Sequence, residues 1–483
     1  MSNYILTLKL NTEEYQEDIL NKNFEECRRI YNACLNELHK RYNHLRESKV
    51  YQKNCKYKGK DRNKIFNKIN QEYSLTEYSL HNFVKPMMKY YKIDSMTVQK
   101  IASRAWDAFS GLIFHTAKHV KYRSYGEINS IEGKNNKQGI RFRDNMLLFS
   151  GLKIKAIINP KDIYALQSLE DTIKYCRIKR EMIKNKYHYY IQLILEGIPS
   201  TKLNNKTGEL KGQIGVGNVG IDIGTQTIAY SSKYDVKLLE LAPEVNNIEK
   251  TKRGFNRKLD RQRRSNNPNK YNENGTINIY NRDKWIKSKN YIKTKNKLKD
   301  VQRKQASIRK QSHNILANQL LNLGNKFYVE TMSYKGLQKR SKNTTINHKT
   351  GKYNKKKRFG KSLANKAPSM FLTILDNKLK WNGTKLYKIN TYKVKASQYN
   401  HFDEKYNKKE LSERWNNFII NRENVKLQRD LYSSFLLMNV KDNLDEINRD
   451  LCFETYDNFK VLHDNEISRL LNSNDKRISS MGI

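Results

Sequence analysis

Acidic residues are scarce in this chain of 483 residues. Asp and Glu total 48 against 94 Lys and Arg, which gives a formal net charge of +46. A codon bias toward A·T explains a high lysine content, but it does not explain the shortage of carboxylates. A chain this positive repels itself unless it binds a polyanion, and neutralising DNA or RNA phosphates releases counterions. We therefore expect a nucleic-acid partner.

Paired cysteines and long apolar runs are also missing. The cysteine count is odd, and no CxxC pair or zinc knuckle occurs among Cys27, Cys34, Cys55, Cys176 and Cys452. Such thiols are typical of a reducing compartment. The N-terminus has neither the basic nor the apolar region of a signal peptide, and no run approaches the roughly 20 apolar residues that span a bilayer. We expect a cytoplasmic, prokaryotic, nucleoid-associated protein without a membrane partner.

The first half changes character twice along the chain. Residues 1–14 alternate as one strand, and residues 120–198 contain further strand-like segments broken by Gly, Asn and Pro160. Between them, residues 15–119 carry apolar positions at spacings of three and four, which is typical of helix faces. We predict a β-barrel or sheet interrupted by a helical bundle, followed by a polar, Gly-rich linker at 199–216.

Three acidic residues lie far apart in the second half, each next to an apolar pattern. Asp222 alternates with apolar neighbours in NVGIDIG, which predicts a strand with the acid on the opposite face. Glu330 follows the short strand NKFYV. Asp430 falls in VKLQRDLYSSFLL, where apolar residues recur at helical spacing from Leu427 onward, so we predict one helix through this segment.

Three carboxylates are the ligands that a two-metal phosphodiesterase needs. Magnesium prefers hard oxygen ligands, and paired ions serve the attacking and the leaving oxygen of a displacement. Taken singly, an acid is more often a surface or capping residue, and composition alone does not make these three converge.

The order of motifs resembles the split RuvC domain of TnpB, the transposon-encoded RNA-guided nucleases related to type V CRISPR effectors. The matching segments are, in order, GIDIG, a long basic segment, SHNILANQLLNLGNKFYVETMSYKGL, MFLTILDNKLKWNGTKLYKINTYKVKASQ and QRDLYSSFLL. The resemblance implies that Asp222, Glu330 and Asp430 are catalytic. It also implies that they bind two Mg²⁺ ions, for which Mn²⁺ can substitute.

The same resemblance implies an α+β multidomain fold. A wedge-like β-barrel would comprise 1–14 and 120–198, with 15–119 as an inserted helical recognition lobe. A ribonuclease H-like (RuvC) α/β domain would cover 217–440, and a helical tail would cover 441–483. Within the RuvC domain we expect the following segments: a basic helical hairpin at 250–310, a basic lid loop at 338–365 and a degenerate zinc-ribbon region at 397–426.

Basic residues of the hairpin and the lid loop are the candidate nucleic-acid contacts, although a solvated charge run would look the same. In the hairpin they are Arg253, Arg257, Arg261, Arg263, Arg264, Lys297, Arg303 and Arg309. In the lid loop they are Lys355, Lys356 and Arg358.

The chain departs from the family pattern in two places. TnpB proteins usually carry a four-cysteine zinc ribbon before the third motif, whereas residues 397–426 contain no cysteine, so we expect no structural zinc. Gln428 stands where the family often has another Asp, but Asp430 keeps the second acid of that pair.

The expected activity is RNA-guided cleavage of DNA, with guide RNA and target DNA as partners and no nucleotide cofactor. Both a monomer and a dimer are compatible with the sequence. A nuclease-inactive RNA-guided DNA-binding repressor is the main alternative, and an unguided nuclease is another. GIDIGTQT also resembles the first phosphate loop of actin-like ATPases and kinases, but those enzymes need a second Asp-x-Gly, and Asp222 begins the only one here. GVGNVG precedes its strand, which disfavours a dinucleotide site.

Overall fold

The computed structural model shows an α+β protein that divides into two compact units, residues 1–200 and 201–483. It describes residues 3–203, 207–210, 213–340, 343, 345–346, 351, 359–408, 410, 413–420, 422–473 and 481–483. Lys355, Lys356, Arg358 and much of the predicted lid loop lie outside these residues. No helix in the described ranges is long and apolar enough to cross a membrane.

Unit 1 combines helices with one antiparallel sheet. Its elements are β1 (Asn3–Leu10), α1 (Glu14–Glu47), α2 (Lys49–Cys55), α3 (Arg62–Glu72), α4 (Glu77–Tyr91), α5 (Ser95–Ile113), β2 (Ser130–Glu132), β3 (Arg141–Arg143), β4 (Met146–Phe149), β5 (Leu152–Ile157), α6 (Ile163–Ser168), β6 (Ile173–Ile183) and β7 (Lys186–Glu196). Helices α1, α4 and α5 pack together through the apolar faces that the sequence predicts.

The sheet of unit 1 has the strand order β2-β6-β7-β1-β5-β4-β3. Strand β1 is central because it pairs with β7 on one side and with β5 on the other, and its alternate residues from Tyr4 to Leu10 are buried on one face. β3 also contacts β6, so the sheet curls. Arg180 joins the sheet to α1: its buried guanidinium donates to Asn21 and Glu25 and lies 4.4 Å from the ring of Phe24.

Unit 2 contains a mixed sheet between two layers of helices. Its elements are β8 (Asn218–Ile223), β9 (Thr227–Ser232), β10 (Val236–Glu240), α7 (Val245–Asn266), α8 (Lys289–Leu321), β11 (Lys326–Glu330), α9 (Tyr334–Leu337), α10 (Gly360–Lys366), α11 (Pro368–Trp381), β12 (Leu386–Ile389), β13 (Tyr399–Asn400), β14 (Lys405–Tyr406), β15 (Trp415–Ile420), β16 (Glu423–Gln428), α12 (Arg429–Met438) and α13 (Arg449–Asn472).

The strand order of this sheet is β10-β9-β8-β11-β12. Strands β8, β11 and β12 are parallel, whereas β9 and β10 are antiparallel to their neighbours. Val219, Ile221, Phe327 and Val329 pack against α8 and α11 on one face. Because strand side chains alternate, the other positions face α12 and α13, as Tyr328 does.

Helix α12 lies directly against β8. A Cβ atom on Gly220 would stand 2.0 Å from the carbonyl oxygen of Ser434, so only glycine fits there. Gly215 has a similar role, since its Cβ would stand 2.2 Å from the Asn322 carbonyl oxygen. The GVGNVG segment therefore serves close backbone packing.

One expectation for the second half needs correction. Leu427 belongs to β16, and the helix that carries Asp430 begins only at Arg429, because residues 423–428 pair with β15. Helix α13 lies within the predicted helical tail 441–483, and it buries Cys452 and Phe459 in the core shared with α12. The last part of the predicted linker 199–216 packs into unit 2, where Gly215 donates to the Leu321 carbonyl at 2.8 Å.

An aromatic cluster occupies the predicted degenerate zinc-ribbon region. His401 is fully buried, and its Nδ1 lies 2.7 Å from the Tyr432 hydroxyl. The rings of Phe402, Phe435 and Tyr456 surround it at centroid distances of 3.8, 5.8 and 5.6 Å. Packing of aromatic rings therefore holds this region against α12 and α13.

Candidate functional site

Asp222 and Glu330 lie side by side on adjacent strands. Parallel pairing of β8 with β11 sets Val329 opposite Ile221, and the next residue on each strand is Glu330 and Asp222 respectively. Side chains of neighbouring strands at the same register point to the same face. Both carboxylates therefore lie at the carboxyl ends of these strands, on the face covered by α12.

Asp430 reaches the same place from the first turn of α12. The side-chain oxygen of Gln428 accepts a hydrogen bond from the Leu431 N–H at 2.8 Å and caps the helix. A negative charge in the first turn is also favoured by the helix dipole. The cap and the dipole together fix an acid at the start of a helix that packs on β8.

All three acids line one cavity of about 440 Å³. Thr225, Gln226, Met332, Ser397 and Gln398 form part of its wall, and Lys408, Arg414 and Arg429 add positive charge. The structure thus brings together residues that are separated by 108 and 100 positions in the chain.

Burial raises the pKa of two carboxyl groups in the site, those of Asp222 and Glu330. Burial is the largest cause that holds the pKa of Asp222 well above its ordinary value of 3.8, and the charges of Asp430 and Glu330 add to it. Ser433 and Arg429 oppose the shift. Burial also raises the pKa of Glu330, against a hydrogen bond from the Ala396 backbone N–H. Clusters of buried acids with raised pKa values are typical of functional sites.

Two arginines that the sequence analysis missed pair with Asp430. Arg429 donates to its Oδ1 from Nε and Nη2 at 3.2 Å each, and Arg414 Nη1 lies 3.6 Å from its Oδ2. Arg429 stands directly before Asp430 in the sequence, which was a usable signal. Arg414 lies 16 residues away, and only the β15–β16 hairpin brings it close.

The donor set fits a divalent cation in its chemistry. Three carboxylates in one cavity are the oxygen ligands that Mg²⁺ and Mn²⁺ prefer. As the side chains stand, no three Asp, Glu, His or Cys groups among the described residues are placed to hold one ion. Because Asp430 pairs with Arg429 and Arg414, a cation at this acid has to compete with two guanidinium groups.

His463, which the sequence analysis also missed, supports the start of α12 from the neighbouring helix α13. His463 of α13 is buried, and its Nε2 accepts a hydrogen bond from the Gln428 N–H at 3.0 Å. The Gln428 side chain also donates to the Met481 carbonyl at 3.0 Å. No local pattern in the sequence indicates these contacts, since they join residues 35 and 53 positions apart.

The basic hairpin predicted at 250–310 consists of α7 packed against α8, with residues 267–288 between them. Arg257, Arg261 and Lys297 are exposed and form no ion pair with any described residue. Arg253 is also exposed, but its Nε lies 3.6 Å from Glu249. These four side chains remain available to a phosphate backbone.

The other four predicted contacts in the hairpin have partners within the chain. Arg263 and Arg264 both pair with Asp260, at 2.7 and 2.9 Å, and Arg264 also lies over the ring of Tyr271. Arg303 pairs with Asp300 at 3.1 Å. Arg309 is half-buried and donates to the carbonyl oxygens of Ala364 and Asn365. Arg309 therefore holds α10 against α8.

Comparison with known proteins gives only distant likenesses. No protein-family model matches the chain, and no curated protein matches it. The match to a cryo-EM structure of a Cas12f1–sgRNA–target DNA complex covers 82% of this chain and 76% of the matched chain, with 12% identity and a TM-score of 0.44. The match to a cryo-EM structure of a CRISPR-Cas12f ternary complex covers 89% of this chain and 82% of the matched chain, with 12% identity and a TM-score of 0.27.

Proposed function

We propose that this chain is an RNA-guided DNA endonuclease of the TnpB type, which cuts target DNA at a two-metal site. One observation carries the proposal: Asp222, Glu330 and Asp430, distant in sequence, line a single cavity of about 440 Å³. The ordered motifs around these acids resemble those of the TnpB RuvC domain, and a mixed sheet between helical layers is compatible with a ribonuclease H-like domain.

Asp222 and Glu330 would hold the divalent cations from the sheet side of the cavity, and Asp430 would complete the metal site from α12. Mg²⁺, when bound there, supplies Lewis-acid polarisation of a phosphate and lowers the pKa of a bound water. The raised pKa of Asp222 means that a cation has to displace a proton from the site, so binding should strengthen as the pH rises.

Positive side chains at the same cavity would bind the DNA backbone. Arg414, Arg429 and Lys408 line its wall beside the three acids. Guanidinium groups bind phosphate oxygens in a bidentate manner, so the two arginines can exchange their contacts with Asp430 for contacts with the phosphodiester. That exchange would release Asp430 for the cation and orient the bond to be cut.

Guide RNA and the rest of the target DNA would lie against the exposed basic residues. The net charge of +46 and the unpaired side chains of Arg257, Arg261 and Lys297 support such a surface. In guided nucleases, base pairing with the guide supplies most of the sequence recognition. The protein therefore needs contacts to backbones more than contacts to particular bases.

The test uses the complex of the full chain with RNA expressed from its own flanking DNA. After that RNA is sequenced, a plasmid with the matching target is incubated with the complex and Mg²⁺. Glu330→Gln keeps the size of the side chain and removes its charge, so we expect loss of cleavage by a factor of about 10³ or more with RNA binding unchanged. Glu273→Gln, at an exposed position between α7 and α8, is the matched control. Cleavage retained by Glu330→Gln would remove the assignment.

A nuclease-inactive RNA-guided repressor is the second candidate. The pairing of Asp430 with Arg429 and Arg414 favours it, because a permanent pairing would keep the third acid from any cation. Mn²⁺ titration of the complex by calorimetry separates the two proposals independently of cleavage. An endonuclease binds Mn²⁺ through Asp222 and nicks matched DNA, whereas the repressor binds the DNA without either property.

A further inference from the structure

A second cavity lies within unit 1, remote in sequence from the three acids. It has a volume of about 510 Å³ and is lined by residues of α1, α2, α3 and the end of α5. Cavities of roughly 300 to 1,000 Å³ are the usual size of sites for small ligands and for single groups of larger ones. Its wall combines aromatic rings, amide side chains and one arginine.

Aromatic rings supply flat apolar surfaces in this cavity. Tyr51 of α2 and Phe66 of α3 meet edge to face with centroids 5.7 Å apart. Phe114, just after α5, leaves 61% of its surface exposed at the same cavity. An exposed phenyl ring beside half-buried ones is a platform on which another flat ring can stack.

Three asparagines of α3 point to a polar ligand. Asn63, Asn67 and Asn70 follow each other at spacings of four and three, so they share one face of the helix, and all three line the cavity. Asn70 is only 9% exposed and lines the cavity. Its side-chain amide offers a donor and an acceptor that a polar ligand in the cavity can meet.

The charge around the cavity selects a polyanion. Residues 49–72, which form α2, α3 and their connection, contain eight Lys and Arg and two acids, Asp61 and Glu72. Arg62 lines the cavity with its guanidinium 5.2 Å from the centre of the Phe66 ring. A ligand for this site therefore joins a flat ring with hydrogen-bonding edges to a chain of negative charges.

We infer that this cavity binds one unpaired nucleobase of a nucleic-acid strand. The base stacks on the aromatic rings, and its edge exchanges hydrogen bonds with the asparagine amides, which carry both a donor and an acceptor. The lysines of residues 49–68 and Arg62 bind the adjoining phosphates. The inference needs no functional metal centre, so it stands or falls separately from the nuclease proposal.

Cys55 provides a direct test, because it lines the cavity and is exposed, whereas Cys27, Cys34, Cys176 and Cys452 are buried. The measurement is the rate at which N-ethylmaleimide modifies Cys55 in the full chain, followed by mass spectrometry of the peptide. Single strands of about 12 nucleotides, of DNA or of RNA, should slow this rate about fivefold or more. An abasic phosphodiester strand of the same length should change it less than about twofold, since it carries the charge without the bases. The stronger of the DNA and RNA effects identifies the strand.

Variants test the residues named. Asn67→Ala changes an exposed side chain, so the fold is kept, and it should reduce protection of Cys55 by DNA or RNA to the level of the abasic strand. Phe66→Ala should do the same through loss of stacking. Asn82→Ala, at an exposed position of α4 outside the cavity, should retain full protection. Equal protection by the abasic strand, or full protection in Asn67→Ala, would overturn the inference.

Discussion

The buried imidazole of His463 accepts a hydrogen bond from the backbone N–H of Gln428, two residues before Asp430, at 3.0 Å. This contact requires a neutral Nε2, and the other ring nitrogen lies 2.8 Å from a carboxylate oxygen of Asp464. Gln428 in turn caps α12 and donates to Met481. The C-terminal segment thus positions the third acid of the candidate site.

His463 should make the site sensitive to acid. Burial, opposed by the hydrogen bond with Asp464, lowers its pKa below the ordinary value of 6.5. Its contribution to stability is therefore complete above pH 6.5 and is lost as the pH falls toward the folded pKa, because the unfolded chain takes up the proton first. His463→Gln offers an acceptor that does not titrate. We expect a smaller loss of cleavage rate and of unfolding free energy for this variant than for the native chain between about pH 7 and 5. If the native chain and His463→Gln lose cleavage rate equally between about pH 7 and 5, a positioning role for His463 is excluded.

We expect Asp222 to lower the free energy of unfolding although cleavage requires it. Its pKa is raised mainly by burial, so the folded chain retains a proton that the unfolded chain has released, and stability falls as the pH rises through the folded pKa. Asp222→Asn removes this loss. We expect a gain of about 1–2 kcal/mol in the free energy of urea unfolding at neutral pH in EDTA, together with loss of cleavage. Asp283→Asn, at an exposed position, should change stability by less than about 0.5 kcal/mol. A destabilised Asp222→Asn would contradict the raised pKa.

Arginines of the hairpin should separate into two groups by experiment. The double variant Arg257→Ala, Arg261→Ala removes two exposed charges, so nucleic-acid binding should weaken. The slope of the logarithm of the binding constant against the logarithm of the salt concentration should fall in magnitude by roughly 1–2. The thermal stability of this double variant should stay unchanged.

Arg309→Ala, in contrast, leaves the carbonyl oxygens of Ala364 and Asn365 without their donor and should cost about 1–3 kcal/mol of stability. Salt titrations of binding and urea unfolding of both variants make the comparison, and an unchanged salt slope in the double variant would exclude Arg257 and Arg261 as phosphate contacts.

Two glycines should respond in opposite ways to the same substitution. In Gly220→Ala the new methyl group would stand 2.0 Å from the Ser434 carbonyl oxygen and 2.3 Å from the Met438 nitrogen, both of them backbone atoms. We expect a loss of about 3 kcal/mol or more, since α12 has to move away from β8. Gly254 lies within α7 with open space around it, so Gly254→Ala should stabilise by about 0.5–1 kcal/mol. Similar unfolding midpoints for the two variants would argue against the close packing of α12 on β8.

Local patterns in the sequence indicated much of the secondary structure. The alternation around Asp222 placed the acid on the face opposite Val219 and Ile221, as the structure has it. The pattern around Asp430 was less informative, because Leu427 lies at helical spacing from the helix that follows while its backbone belongs to a strand. Side-chain spacing alone does not reveal where backbone pairing ends.

Long-range contacts decided the rest. Arg257 and Arg309 look alike in the sequence, and only the position of α10 against α8 makes one an exposed charge and the other a structural donor. By itself the sequence determined the charge of the chain, the periodicity of its helices and strands, and the identity of the acids. The tertiary structure decided that β8 and β11 are neighbours, so that Asp222 stands beside Glu330. Strand order and helix docking depend on packing between distant segments, which no local pattern records.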